Sequence, residues 1–288
     1  MKILIFGASG FIGSHLARHF ASLGHIVVCF CRKAIVQGIE GECHPWSLGD
    51  QLNDLAIKDA DCALHLAHDF DGTKGAEKTL MGTIDSVLKL RQTGVGRQIV
   101  FSSYSAGPHA SSLYGRTKSA LEKRLHSVDG VIIVRPGLVL GNGGLYGRIS
   151  KFVRLSPWIP LPDGGSGKVP VIEIGKLCRL IHMIMTATAS QQEYNLFERE
   201  LLSLREIVEY AAREAGRRAW VIPVPSSLVL HCLRFASVMQ IPLPVNADNL
   251  AGFLANQEAY HVSCLDAGKH LEVITPNFTR DLGVNSGP

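Results

Sequence analysis

Apolar residues fall in short runs through the first half of the chain, and stretches with a helical period separate them. The runs Lys2–Phe6, Ile26–Cys31, 62–66, 99–102 and 131–134 have the length and continuity of buried strands. After the first run, Ile12, Leu16, Phe20 and Leu23 recur on one helical face, which predicts a helix over 11–23 closed by Gly24-His25. Further helical periods lie near 75–90 and 112–125. Strands apolar on both faces, alternating with helices, specify a mostly parallel sheet covered on both sides. The second half is less regular. Gly and Pro cluster at 141–144 and 157–170, which predicts loops around a cleft. Helices are expected near 174–185, 203–215 and 226–239, and 193–196 reads as a late strand returning to the sheet. The predicted fold is α/β, a Rossmann-like doubly wound parallel sheet over 1–140. A smaller, mostly helical substrate region follows over 141–288, partly interleaved with that sheet. Neither an internal repeat nor a low-complexity tract interrupts this organisation.

Gly7-Ala8-Ser9-Gly10-Phe11-Ile12-Gly13 occupies the turn between the first strand and the first helix. There Gly7 permits a tight turn, Gly10 lets backbone approach a pyrophosphate, and Gly13 allows helix and strand to pack closely. The helix N-terminus then offers free N–H groups and a positive dipole end to phosphates. The alternative is a glycine-rich turn with no ligand. Ser9, Phe11 and Ile12 complete the expected contacts. The second strand ends in Cys31-Arg32-Lys33, where an NAD site would carry Asp or Glu for the ribose 2′-hydroxyl. A guanidinium binds a 2′-phosphate in a fork, so NADP(H) is favoured over NAD(H), with Arg32 as the leading contact. Solvated turn charges, or arginine stacked on adenine, are the competing explanations.

Composition narrows the partners. The 288 residues are 46% hydrophobic and 19% charged, ordinary for a globular protein and unlike a disordered one. A net charge of +4 with no long basic run argues against nucleic acid. The seven cysteines lack any zinc-pair or disulfide-framework spacing, so neutral thiols in a reducing cytoplasm and no metal are expected. The first apolar run is too short for a signal peptide, and 228–239 is broken by His231 and Arg234, so no membrane span is expected.

Tyr114-Gly115-Arg116-Thr117-Lys118 opens the helix after the fourth predicted strand of this series, 99–102. Residues four apart share a helical face, so Tyr114 and Lys118 can point at one spot. A free tyrosine titrates near about 10 and is a poor base at neutral pH unless a nearby cation stabilises its phenolate. Tyr114 would then exchange a proton with a substrate oxygen, and Lys118 would also hold a ribose. A surface tyrosine beside a solvated lysine is the plainer alternative. His109 is read as a loop histidine in solvent rather than an additional acid or base.

These features together resemble the extended short-chain dehydrogenase/reductase superfamily, and within it the NAD(P)-dependent epimerase/dehydratase group. The resemblance implies a strand-end hydroxyl in Phe101-Ser102-Ser103-Tyr104-Ser105 that binds the reacting oxygen. Ser103 is the choice, with Ser102 and Ser105 as rivals, because Tyr104 stands where many extended members carry the hydroxyl. It also implies that Leu66, Ala67 and His68 pack beside the adenine and ribose. Arg135-Pro136-Gly137-Leu138-Val139-Leu140-Gly141 looks like the family segment lining the nicotinamide, which brings Pro136, Leu138 and Val139 to the cofactor. Leu140 and Asn142 depart from that segment's Tyr and Pro, and Gly175-Lys176 replaces a paired-acid helix start.

No carboxylate follows the serine pair, so dehydration lacks its general acid and base. The expected reaction is NADP(H)-dependent reduction of a keto group, on a small molecule such as a nucleotide sugar. Epimerisation of a nucleotide sugar is the runner-up, and a non-catalytic NADP(H)-binding sensor or accessory subunit is the alternative of another class. The resemblance further implies a homodimer formed through the Tyr/Lys helix and the helix before the serine strand.

Overall fold

A computed structural model describes residues 1–32, 41–187, 192–238, 261 and 263. The chain divides into two compact units, Met1–Pro136 with Leu177–Tyr194, and Gly137–Lys176 with Asn195–Pro288. In chain order the first stretch forms β1 (Lys2–Phe6), α1 (Phe11–Ser22), β2 (Ile26–Cys31), β3 (Glu42–Pro45), α2 (Asp54–Ile57) and β4 (Cys62–His65). It continues with α3 (Gly72–Gln92), β5 (Arg97–Phe101), α4 (Leu113–Leu125) and β6 (Val131–Pro136). There follow β7 (Leu138–Leu140), α5 (Gly144–Leu155), β8 (Trp158–Pro162), β9 (Lys168–Val169), β10 (Val171–Glu173), α6 (Ile174–Thr186) and β11 (Glu193–Leu196). The last described elements are β12 (Leu202–Ser203), α7 (Leu204–Glu214), β13 (Trp220–Val224) and α8 (Ser226–Val238).

Seven strands form the central sheet in the order β11-β6-β5-β4-β1-β2-β3. The pairs β1–β2, β1–β4, β4–β5, β5–β6 and β2–β3 are all parallel. The strand order reverses beside β1, the topological switch point at which such sheets open a crevice beyond their C-terminal ends. Ile3, Leu4 and Ile5 are wholly inaccessible to solvent, as expected of a strand covered on both faces. One core gathers Leu4, Phe6, Val28, Phe30, Trp46 and Ile57. A second gathers Val87, Val100, Leu121, Leu125, Val131 and Ile133, where α3 and α4 pack together against the sheet. On α1, Leu16 and Phe20 are fully buried, on the face that the periodicity selected.

The late strand read at 193–196 is β11 and takes the sheet edge beside β6. Edge strand β3 was not expected, because Glu42-Cys43-His44-Pro45 has neither apolar alternation nor length. In the second unit the structure adds the two-stranded pairs β7–β10, β9–β12 and β8–β13 to its helices. Prolines in Trp158-Ile159-Pro160-Leu161-Pro162 and in Trp220–Val224 disguise β8 and β13 as loop, since proline is tolerated in strands of a two-stranded ribbon that need not donate at every position. Helix α5, for which no element was expected, follows directly on the glycine-rich stretch at 141–144, and Gly144 begins it at φ +58°.

Candidate active site

The first unit builds its site at the C-terminal ends of β1, β4 and β5. After β1, Gly7 adopts φ +90°, and a Cβ there would lie 2.7 Å from the backbone nitrogen of Ala67. A Cβ on Gly13 would lie 2.4 Å from the Gly7 carbonyl oxygen, so α1 and the turn can approach this closely only through glycine. Gly10 is the N-cap of α1, and no side chain caps the helix. Its first N–H groups, beside exposed Ser9 and Gly10 and half-buried Phe11 and Ile12, form a cradle suited to an anionic diphosphate. Leu66 and Ala67 are half-buried directly after β4, and the Leu66 N–H donates to the Phe6 carbonyl at 2.9 Å.

Ser112 caps α4 by accepting from the Gly115 N–H at 3.0 Å, which fixes the helix start one residue before Leu113. Tyr114 and Lys118 thereby sit one turn apart, with the Lys118 ammonium 5.8 Å from the phenol ring centroid. Lys118 is 3% exposed and donates to the Phe101 carbonyl at 2.7 Å. Burial lowers its pKa to about 8, against the opposing pull of Glu122. Burial raises the Tyr114 pKa to about 12, while a hydrogen bond with Ser103 pulls it back. Ser103 also pairs with the Ser105 hydroxyl at 2.9 Å and accepts from the Ser105 N–H at 3.2 Å.

The rival hydroxyls separate on geometry. Ser102 donates to Glu122 Oε1, one helical turn beyond Lys118 on α4, whereas Ser103 bonds Tyr114. Glu122 also receives Arg135 Nε on one oxygen and a terminal Arg135 nitrogen on the other, both at 2.8 Å. Arg135 reaches Glu193 as well, at 2.8 Å. Sequence reasoning missed Glu122. Its signal was available, since it follows Lys118 by one helical turn on the face that carries the lysine.

His68 and Phe70 were likewise not read as neighbours of Tyr114. The His68 ring lies 4.8 Å from the Tyr114 ring, edge to face, and 4.5 Å from Phe70. Phe70 stacks on Tyr114 at 6.1 Å and 14°. Burial, followed by the Lys118 charge, lowers the His68 pKa to about 3, so the imidazole is neutral at physiological pH. Its buried Nδ1 has no hydrogen-bond partner. Tyr104, at the loop position next to Ser103, is pushed up to about 12 by burial and by Tyr114.

Arg32 is exposed just past β2, and Lys33 lies outside the described residues. Pro136 ends β6, and its carbonyl accepts the Tyr104 N–H at 3.2 Å. Leu138 and Val139 belong to the second unit, where they pair with Val171 and Ile172. His109 is exposed. Cys264 and Met239 lie outside the described residues. Among the described residues no helix is long and apolar enough to cross a membrane, and no group of three His, Cys, Asp or Glu is arranged to hold a metal.

Comparison with known proteins agrees with this architecture. The UDP-glucose 4-epimerase of Vibrio cholerae is 26% identical over 261 residues, covering 78% of this chain and 79% of its own. The 2-alkyl-3-oxoalkanoate reductase of Stenotrophomonas maltophilia (strain K279a) is 25% identical over 260 residues, covering 75% and 76%. Among solved structures, UDP-glucuronic acid 4-epimerase from Bacillus cereus superimposes with a TM-score of 0.68 at 18% identity, over 89% of this chain and 99% of that one. UDP-glucose 4-epimerase from Thermotoga maritima gives 0.67 at 17% identity, over 78% and 86%. Both likenesses show the fold. The NAD dependent epimerase/dehydratase family matches residues 3–196, more than half of the chain. The chain belongs to that family and is an enzyme of the extended short-chain dehydrogenase type.

Proposed function

We propose that the chain is an NADP(H)-dependent oxidoreductase that reduces a keto group on a small molecule. The observation that carries this reading is the hydrogen bond between Tyr114 and Ser103 beside a buried lysine. The family binds an NAD(P) cofactor, and the residues present fit one. A Cβ would fill the cradle at Gly7 and Gly13, so the turn lies open to a diphosphate only because both are glycines. Gly7, Ser9, Gly10, Phe11, Ile12 and Gly13 would hold the diphosphate, and Leu66, Ala67 and Pro136 would flank the cofactor. Arg32 would take the 2′-phosphate that distinguishes NADP(H).

When bound, the reduced cofactor supplies the hydride. A phenol held near about 12 is protonated at neutral pH, so Tyr114 is charged with the proton that the developing alkoxide needs. Ser103 donates to the same oxygen and orients the phenol. Lys118, its ammonium fixed by the Phe101 carbonyl, holds a ribose hydroxyl and stabilises the phenolate left after proton transfer. Bulk solvent then restores the phenol. No carboxylate stands beside Ser103 in the 104–106 loop to remove a second proton, which favours reduction over dehydration.

Epimerisation of a nucleotide sugar is the second reading, and the Vibrio cholerae relative favours it. It differs in leaving the cofactor's redox state unchanged overall. The exposed Met81 and Leu88 on α3 support a homodimer through α3 and α4. The test follows NADPH absorbance against a panel of ketones, with direct binding of NADPH and NADH measured alongside. We expect net NADPH consumption, its loss in Tyr114→Phe with NADPH binding retained, and weaker binding of NADPH but not NADH in Arg32→Ala. Interconversion of UDP-glucose and UDP-galactose without net cofactor turnover would establish the epimerase instead.

A further inference from the structure

Three rings meet at the reactive phenol. Phe70 lies nearly parallel to Tyr114, and His68 is set edge-on to both. Phe70 is 76% exposed, although it packs against these two rings. A single exposed phenylalanine is unremarkable on a mobile loop, but this loop is fastened. The Asp69 N–H donates to Thr79 Oγ1 at 2.9 Å, and the Asp71 N–H donates to Asp69 Oδ1 at 3.0 Å. Gly75 admits the first turn of α3 so closely that a Cβ would lie 2.7 Å from the Asp69 carbonyl oxygen. A benzyl group is therefore held open beside the position of the reacting oxygen.

Described polar groups around these rings are engaged with one another, and Asp69 Oδ1, beside His68, accepts from the Asp71 N–H. Ser103 is paired with both Ser105 and the phenol. Among the described residues of this wall, His68 Nδ1 is the one buried side-chain atom with no partner. A sugar ring next to the carbonyl presents several hydroxyls, and each that is desolvated without a partner weakens binding. An aryl or alkyl group instead gains by covering the Phe70 ring. One polar group beside the carbonyl would satisfy Nδ1.

Resting on the reductase reading, we propose that His68 and Phe70 are specificity-determining residues. They select a ketone whose carbonyl carries an aryl or alkyl group and has one hydrogen-bonding substituent beside it. Phe70 contacts the apolar group, and His68 Nδ1 bonds the substituent.

The probes are acetophenone, 2-hydroxyacetophenone and UDP-4-keto-6-deoxyglucose. Each is offered to the full-length protein with NADPH for turnover and, separately, to its NADP⁺ complex for calorimetric binding. We expect kcat/KM to rank 2-hydroxyacetophenone above acetophenone and both above the keto sugar. Phe70→Ala lowers kcat/KM and affinity for both aryl ketones by about tenfold or more and leaves NADPH affinity unchanged. His68→Ala removes the advantage of the hydroxylated ketone over acetophenone. A preference for the keto sugar, or aryl-ketone affinity indifferent to Phe70→Ala, overturns the proposal. Binding keeps the two readings apart: if the aryl ketones bind through Phe70 and no ketone is turned over, reduction fails and the specificity wall stands.

Discussion

The Arg135 guanidinium closes on the Glu122 carboxylate through two parallel hydrogen bonds of 2.8 Å, from Nε to one oxygen and from a terminal nitrogen to the other. Arg135 is 6% exposed, so the pair is removed from solvent and its planar fork fixes the carboxylate's orientation. With that orientation set, Glu122 receives the Ser102 hydroxyl and lies one helical turn beyond Lys118, whose positive charge it favours.

Glu122→Gln is therefore expected to act at two levels. Breaking a buried pair while leaving its partner inside costs about 3 kcal/mol, moderated here by the Glu193 contact. The Lys118 pKa, already near about 8, falls further once the carboxylate charge is gone. Chemical denaturation should register the first effect. The second should move the alkaline limb of the kcat profile to lower pH, and an unmoved limb would show that Glu122 only braces the fold.

Two neighbouring serines give opposite expectations. Ser103→Ala removes the hydroxyl bonded to Tyr114 and is expected to lower kcat by about a hundredfold. Ser102→Ala removes a hydroxyl bonded to Glu122, and should cost about 1 kcal/mol of stability with kcat changed only a few-fold. Steady-state kinetics and denaturation of both variants check this, and equal losses of kcat would contradict the assignment.

Gly115 tests the placement of the serine loop. A Cβ there would lie 2.5 Å from the Ser105 carbonyl oxygen, so Gly115→Ala must push the 103–105 loop away from α4. Overpacking of this kind costs about 1–3 kcal/mol. Because the glycine turn after β1 is untouched, the variant should bind NADPH normally while its kcat falls.

Acid stability depends on a buried imidazole. His65 is 4% exposed, stacks on Phe6 and contacts Gln98 Oε1 at 2.9 Å, and burial lowers its pKa to about 4. Unfolded, it returns to its ordinary value of 6.5. Between these values the unfolded chain binds more protons than the folded one, so stability falls as pH drops from about 6.5 toward about 4. This one group accounts for a loss on the order of 3 kcal/mol. His65→Gln is expected to be less stable at neutral pH but to show a shallower decline on acidification. An equally steep decline would assign the acid sensitivity elsewhere.

Much of the frame was legible because it is repetitive. Lys2–Phe6 and Ile26–Cys31 coincide with the observed strands to the residue, and the period of Leu16 and Phe20 marks the buried face of α1. The site was legible only where its parts are close in sequence. Tyr114 and Lys118 share a helix, and the glycines sit in one turn. The choice between Ser102 and Ser103 depends on which of two adjacent side chains faces α4's phenol and which faces Glu122, and pattern does not encode that. Phe70 meets Tyr114 through tertiary packing across a long separation in sequence, and Arg135 meets Glu193 in the same way. Composition carries no trace of either contact.

The first unit is closed by a strand that the ribosome makes late. The chain leaves this unit after Pro136 and re-enters it at Leu177, and β11 pairs with β6 only when Glu193 has emerged. Until then a nascent chain holds β6 as an open edge, with one of the two carboxylate partners of Arg135 not yet made. Translation must therefore traverse the whole intervening excursion before the central sheet is complete, and a fragment ending near residue 140 is expected to associate edge to edge instead of remaining monodisperse.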